Sequence, residues 1–292
     1  METLQHKIDF SLIITVTNAN PNGDPLNGNR PRENFEGFGE ISDVCIKRKL
    51  RNRLQDMGEK IFVQSDDRCD DGCGSLKIRA ESNEALKALG KKPNREEYYR
   101  TACKEWFDVR SFGQVFAFSD DDKKKGEGVS IPIRGPVSIQ MAQSVSPIEV
   151  DSMKISSSVN NKKDVFKDGL DKNRLGDKHV VKFGMYVVHG SINCQLAEKT
   201  GFTAEDAEKI KQALCTLFEN DCSSARPEGS MEVCKVYWWE HDSKTPMYSS
   251  AKIHRLLHIA PKDGIGTPRC FDDYIITLDK LDGAEPEVID LL

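Results

Sequence analysis

The sequence predicts an α+β protein with the element order strand, helix, strand, strand, helix, strand. Three observations lead there. Apolar, β-branched runs occur at 8–17, 128–142, 179–192 and 231–241. Helices are predicted at 42–57, from the spacing of Ile46, Leu50, Leu54 and Met57, and from Thr203 to about Glu219, from a Thr203/Asp206 capping box. The 292 residues, 38% hydrophobic and 30% charged, suffice to bury a core beneath such a sheet. The order is that of the split βαβ, or ferredoxin-like, arrangement.

Residues 8–17, IDFSLIITVT, alternate and then run apolar, which predicts a buried strand. The next stretch, TNANPNGDPLNGNRPR (17–32), has five Asn, two Gly and three Pro, and predicts a turn-rich loop. Ser42 then caps the first helix. Residues 60–128 hold weaker helical patterns at 83–89 and 94–107 and a charged tip, SDDDKKKGEG. GVSIPIRGPVSIQMA (128–142) reads as one strand with a Gly-Pro bulge or edge. Residues 146–179 are polar and poor in core residues, an excursion from the body. HVVKFGMYVVHGSI and MEVCKVYWWEH complete the strands, followed by a weakly alternating tail. There is no internal repeat.

The formal net charge of −5 argues against wrapping nucleic acid with the whole surface and leaves room for a local basic strip. No run approaches the roughly 18 apolar residues of a membrane helix. The N-terminal METLQHKIDF does not read as a secretory signal, so a cytoplasmic address is expected. Nine scattered cysteines fit reduced thiols. Cys69 and Cys73 lack a second ligand pair for zinc, and His254 and His258, spaced as on a helix, lack a third ligand and are expected to cover a surface. No metal or cofactor is expected.

Two segments carry candidate chemistry. In the loop, Asn18, Asn20, Asn22 and Gly23 have the spacing of a calcium loop, but amides replace its carboxylates and Asn29 stands where the closing Glu is needed. The loop is then either a plain turn or a cradle in which amides and backbone N–H groups approach an anion that Arg30 and Arg32 neutralise. In the helix SDVCIKRKLRNRLQDM, Lys47 and Arg51 stack on one flank, Lys49 and Arg53 on the other, and Arg48 points away. Acidic partners at i±4 are nearly missing between 44 and 55, which separates this helix from an ordinary ion-paired solvated face. A phosphate backbone could run along such a flank.

Taken with NPNGDPLNGNRPR, DVCIKRKLRN, DVRSFGQVF, RGPVSIQMAQSVSPI, GFTAEDAEKIKQAL and FENDCSSARPEG, the chain resembles, from about 8 to 260, the type I-C CRISPR Cascade backbone subunits of the Cas-seven family. The resemblance implies a non-catalytic subunit that polymerises along a CRISPR RNA and presents it to target DNA, beside further copies of itself and the large, small and guide-processing subunits. It implies an RRM-like palm (1–60, 128–145 and 180–245), a finger-like insertion (61–127), a thumb β-hairpin (146–179) and a C-terminal extension of the palm (246–292). The family's guide-binding helix matches Cys45, Ile46, Lys47, Arg48 and Arg51, with Cys45 where Ser is common and Ser42 nearby. The RNA-binding set is completed by Asn18, Asn20, Asn22, Asn29, Arg30 and Arg32 in the loop, by Arg134 and Gln143, and by Met153, as a wedge against a base, with Lys154 in the thumb. The RNP aromatic signature of base-stacking RNA platforms is absent.

Two other classes compete. A metal-dependent endoribonuclease would use Asp24, yet the loop offers no second carboxylate before Glu33 for two-metal chemistry. A protein-only scaffold would leave the basic flank without a role.

Overall fold

The computed structural model describes residues 2–90, 94–118, 129–156 and 175–292. Its centre is an antiparallel sheet in the order Glu287–Asp290, Met231–Glu240, Ile8–Ala19, Leu175–Ile192, Ala142–Pro147, Phe38–Ile41. The long strand Leu175–Ile192 also pairs with Val150–Ser156 near its start and with Val137–Ile139 at its end. It lies between the first strand and Val137–Ile139, antiparallel to both, as the split βαβ order requires.

The first strand is apolar on both sides because both sides are covered. Phe10, Leu12, Ile14 and Val16 face a core shared with Ile46, Leu50 and Leu54 of the basic helix (Asp43–Asp56) and with Ile210 and Leu214 of the helix Ala204–Cys215. Ile13 lies in a second cluster with Met185, Tyr237 and Trp239, closed by Ile253, Leu256 and Tyr274 from the C-terminal segment. That segment contributes the helix Ser250–His254 and a ribbon of Leu257–Pro261 with Tyr274–Leu278. The chain's own tail therefore occupies the sheet face that an RNA platform would leave open.

Three expectations are corrected. Residues 128–142 do not form one strand: Val129–Arg134 pairs with Gly113–Phe118, whereas Val137–Ile139 joins the central sheet. The break falls at Gly135, where a Cβ would come within 2.3 Å of the Ser111 carbonyl oxygen, so only glycine lets the chain cross there. His254 is buried rather than surface-covering, stacked on His189 at 4.6 Å, and the helix ends there, leaving the exposed His258 on a strand. Residues 76–112 form four short helices in place of two (Leu76–Ser82, Glu84–Lys87, Arg95–Glu105, Phe107–Phe112). Ser75, Asn83 and Asn94 each cap the helix that follows, and such caps restart the chain at every turn.

These helices and the paired strands Gly113–Phe118 and Val129–Arg134 build their own core around Phe62, Tyr98, Trp106, Phe116 and Ile131. The predicted charged tip, 119–128, lies outside the described residues, as do 157–174 of the predicted excursion. The flanks of that excursion pair antiparallel from Leu175↔Ser156 to Val181↔Val150, a hairpin stem. The predicted capping box at Thr203 and Asp206 is formed. Among the described residues no helix is long and apolar enough to cross a membrane.

Candidate nucleic-acid interface

The Asn/Gly loop is a folded unit. Gly23–Asp24 pairs with Arg30–Pro31 around a tight turn in which the Asp24 carbonyl accepts from Asn27 N (3.0 Å) and Asn29 N (2.8 Å). Gly28 (φ 58°) and Asn29 (φ 59°) take the left-handed conformation that such a turn needs. Asn20 is buried, its Nδ2 donating to the Asn29 carbonyl at 2.7 Å while its Oδ1 has no partner among the described residues. Asn18, exposed at φ 51°, is the penultimate residue of the first strand.

Asn22 fastens this loop to the basic helix. Its Oδ1 accepts from both N and Oγ of Ser42, each at 2.9 Å, and Ser42 Oγ in turn accepts from Cys45 N as the helix cap. Cys45 adds a third link, its thiol donating to the Pro21 carbonyl at 3.7 Å, and burial pushes that thiol up. Asn22 and Ser42 thus have structural duties that keep the loop against the helix N-terminus. On the other side, Arg30 donates to Ser152 Oγ at 2.9 Å, joining the loop to the hairpin stem. Met153 is partly exposed there, and Lys154 pairs with Asp177 at 2.8 Å. Loop, helix N-terminus and stem are therefore one continuous surface.

Along the helix the structure revises the picture of unpartnered cations. Lys47 pairs with Asp43, the first residue of the helix, at 3.1 Å, and the other partners come from distant elements. Arg48 donates to the Val63 carbonyl at 2.6 Å. Arg51 Nε meets the buried Asp108 carboxylate at 3.0 Å, and its guanidinium lies 5.0 Å from the centre of the Phe112 ring. Asp108 also accepts from Phe62 N (2.7 Å) and Val63 N (3.0 Å), clamping the insertion onto the helix. Among the described residues Arg51 makes no other hydrogen bond. On the opposite flank, Lys49 is buried in an ion pair with Asp221, and Arg53 meets Glu219 at 2.6 Å. Burial presses the Lys49 ammonium down despite that partner. The two flanks are not equivalent: Arg51 borders the insertion through Asp108 and Phe112, whereas Lys49 and Arg53 dock the 216–226 segment, on the side where Asn20 N donates to the Ala225 carbonyl at 2.9 Å.

Gln143 is exposed on its strand beside Glu40 and Val187. Arg134, also exposed, ends the insertion hairpin opposite Gly113, on a different element from the loop, helix and stem. Asp24 is committed elsewhere, its carboxylate accepting from Leu26 N at 3.1 Å and lying 3.5 Å from Arg32. Arg32 keeps a buried Nε without a hydrogen-bond partner among the described residues. No group of three metal-ligating side chains occurs among the described residues. Sequence reasoning missed Asp108, whose signal was a lone carboxylate within the apolar run WFDVRSF: a buried charge requires a cation and backbone donors.

The model of the family described as CRISPR-associated protein Cas7 matches residues 6–279, and the chain belongs to that family. A CRISPR-associated protein Cas7 of Haloferax volcanii is 26% identical over 241 residues, covering 76% of this chain and 67% of that protein. Among solved structures, a chain of a pre-nicking CRISPR RNA-guided surveillance complex aligns with TM-score 0.46 and 14% identity, over 85% of this chain and 81% of the other. A chain of a CRISPR RNA-guided surveillance complex aligns with TM-score 0.43 and 15% identity, over 89% and 78%.

Proposed function

We propose that this Cas7-family chain is a non-catalytic backbone subunit of a type I-C Cascade complex, repeated along a CRISPR RNA and presenting it for pairing with target DNA in the cytoplasm. In this reading the central sheet and its helices are an RRM-like palm, the 61–127 insertion a finger, and the stem at 150–156 and 175–181 the base of a thumb. Large, small and guide-processing subunits complete the assembly. One observation carries the proposal. The Arg30–Ser152 and Asn22–Ser42 bonds unite loop, helix N-terminus and stem into one amide- and arginine-bearing surface, while the sheet face is closed by the tail. Lys, Arg and amide groups aimed at phosphate and sugar carry no base information, so binding is indifferent to spacer sequence.

Fluorescence anisotropy with single-stranded RNAs of scrambled sequence tests this. Equal affinities are expected, and Arg51→Gln is expected to weaken all of them alike. The same change should reduce the log–log salt slope by about 0.7, one single-strand phosphate contact. Lys87→Gln, the same charge change at an exposed position on the insertion, should leave the slope as it was. A strong preference among spacers, or equal effects of the two variants, would overturn the reading.

A further inference from the structure

Phe35 is exposed over its whole side chain, yet its backbone is rigidly held. Asn34 Oδ1 accepts from Glu36 N (2.9 Å) and Phe38 N (3.0 Å), and the Asn34 carbonyl accepts from Gly37 N (3.0 Å). Gly37 turns the chain at φ 82°, and Glu33 bridges to Gly39. Glu33 and Glu36, two residues before and one after Phe35, are both exposed and without an ion pair among the described residues. An aromatic flanked by two carboxylates repels phosphate and suits an apolar protein surface edged with cations.

At its other end the same chain carries a cleft lined mostly by charged residues of both signs, in which two lysines are left unmatched among the described residues. The cleft, 860 Å³ in volume, opens between the helix Arg95–Glu105 and the 194–209 region, with Tyr99 and Cys103 in its wall. Several charges around it are already matched, Arg110 with Asp206 at 2.8 Å and Lys209 with Glu205 at 3.0 Å. Lys104 and Lys199 line it exposed, with no ion pair among the described residues.

Strand register places knob and cleft apart. Ile8 pairs with Ile192 and Ala19 with Val181, so residue 193 leaves the sheet at the end opposite to residue 20. The Phe35 turn shares the Ala19 end, because Phe38 pairs with Pro147 while Ile41 pairs with Ala142. A knob at one end and a complementary cleft at the other define a head-to-tail contact, which does not close on itself unless the rotation between copies happens to make a ring.

We propose that Phe35 of one copy seats against Tyr99 of the next, with Glu33 and Glu36 facing Lys104 and Lys199. This rests on the reading of the chain as a subunit repeated along RNA. The turn carries a single aromatic anchor of the kind that dominates interfaces, so its truncation should matter far more than its area suggests.

Sedimentation velocity of the full chain on a long single-stranded RNA, beside an RNA short enough for one copy, provides the test. Phe35→Ala should require about tenfold more protein to fill the long RNA, as loss of a hot-spot side chain does. Glu33→Lys with Glu36→Lys should do the same, and so should Lys104→Glu with Lys199→Glu. All four reversals in one chain should restore filling, while Phe35→Ala leaves binding to the short RNA unchanged and the Glu33 and Glu36 reversals do not weaken it. If the unaltered chain fills the long RNA and Phe35→Ala does so equally well, or if the fourfold variant shows no rescue, the contact is wrong and the RNA-binding reading survives. If the unaltered chain does not accumulate on long RNA at all, the filament reading itself falls, and the contact with it.

Discussion

Lys49 and Arg51 are two residues apart on one helix, carry the same charge, and serve opposite ends. Lys49 is 4% exposed with its ammonium on Asp221, whereas Arg51, on the other flank, holds Asp108 of the insertion through Nε and lies against Phe112. Removing one partner of a buried pair leaves the other charge stranded. Lys49→Gln is therefore expected to destabilise the fold by about 3 kcal/mol, the low end for a broken buried pair because Arg226 also holds Asp221, at 3.1 Å. Urea unfolding measures this, and the folded fraction should retain its RNA affinity. An unchanged midpoint would show that the pair contributes nothing. The sequence made the helix, its cap and its apolar face legible, because spacing decides those. It could not show which cations were already spoken for: Asp108, Asp221 and Glu219 lie 57, 172 and 166 positions from their partners in the chain, and only tertiary packing brings them close.

Among the elements, the strand pattern carried the most information and the tail the least. The run 8–17 announced burial on two sides, but nothing in 246–292 announced what would cover the second, since its apolar residues are short and scattered. The Gly135 break was visible as a breaker, although its consequence, a switch between two sheets, depends on the close approach to Ser111. The tail's role can be separated from RNA binding through Ile253, fully buried against the sheet face. Ile253→Ala removes buried methylenes and leaves a cavity, which is expected to destabilise the protein by ~3 kcal/mol. Thermal melting should report that loss, while anisotropy on the folded protein should find RNA affinity unchanged. Reduced affinity at full stability would mean that nucleic acid uses the tail-covered side after all.

The whole molecule joins its sheet to its tail through a buried polar seam as well as an apolar one. Asp9 is fully buried and meets Lys7 at 3.2 Å and His241 at 2.8 Å, while Lys7 also reaches Ser250. Beside them His189 bonds Ser11 at 2.7 Å and stacks on His254, whose Nε2 lies 3.1 Å from the Gly190 carbonyl. Burial and the neighbouring His254 push His189 down to about 4, and burial lowers His254 although Asp9 pulls the other way. The sign follows from linkage: both rings are neutral in the native state below the pH at which they would protonate in the unfolded chain, near 6.5. Above that pH neither state binds the proton and stability is flat. Between 6.5 and about 4 the unfolded chain gains protons that the native seam refuses, so stability falls as pH falls, on the order of 3 kcal/mol for His189 across the window. Asp9, held below its usual range chiefly by hydrogen bonds from His241 and Ser250 against the opposing effect of burial, stays ionised there and does not offset the loss. Urea midpoints measured from pH 7.5 to 4.5 should therefore decline below 6.5, and His189→Asn should flatten that decline by removing the refused proton. If the variant declines as steeply as the unaltered chain, His189 is not what makes the joint between sheet and tail sensitive to acid.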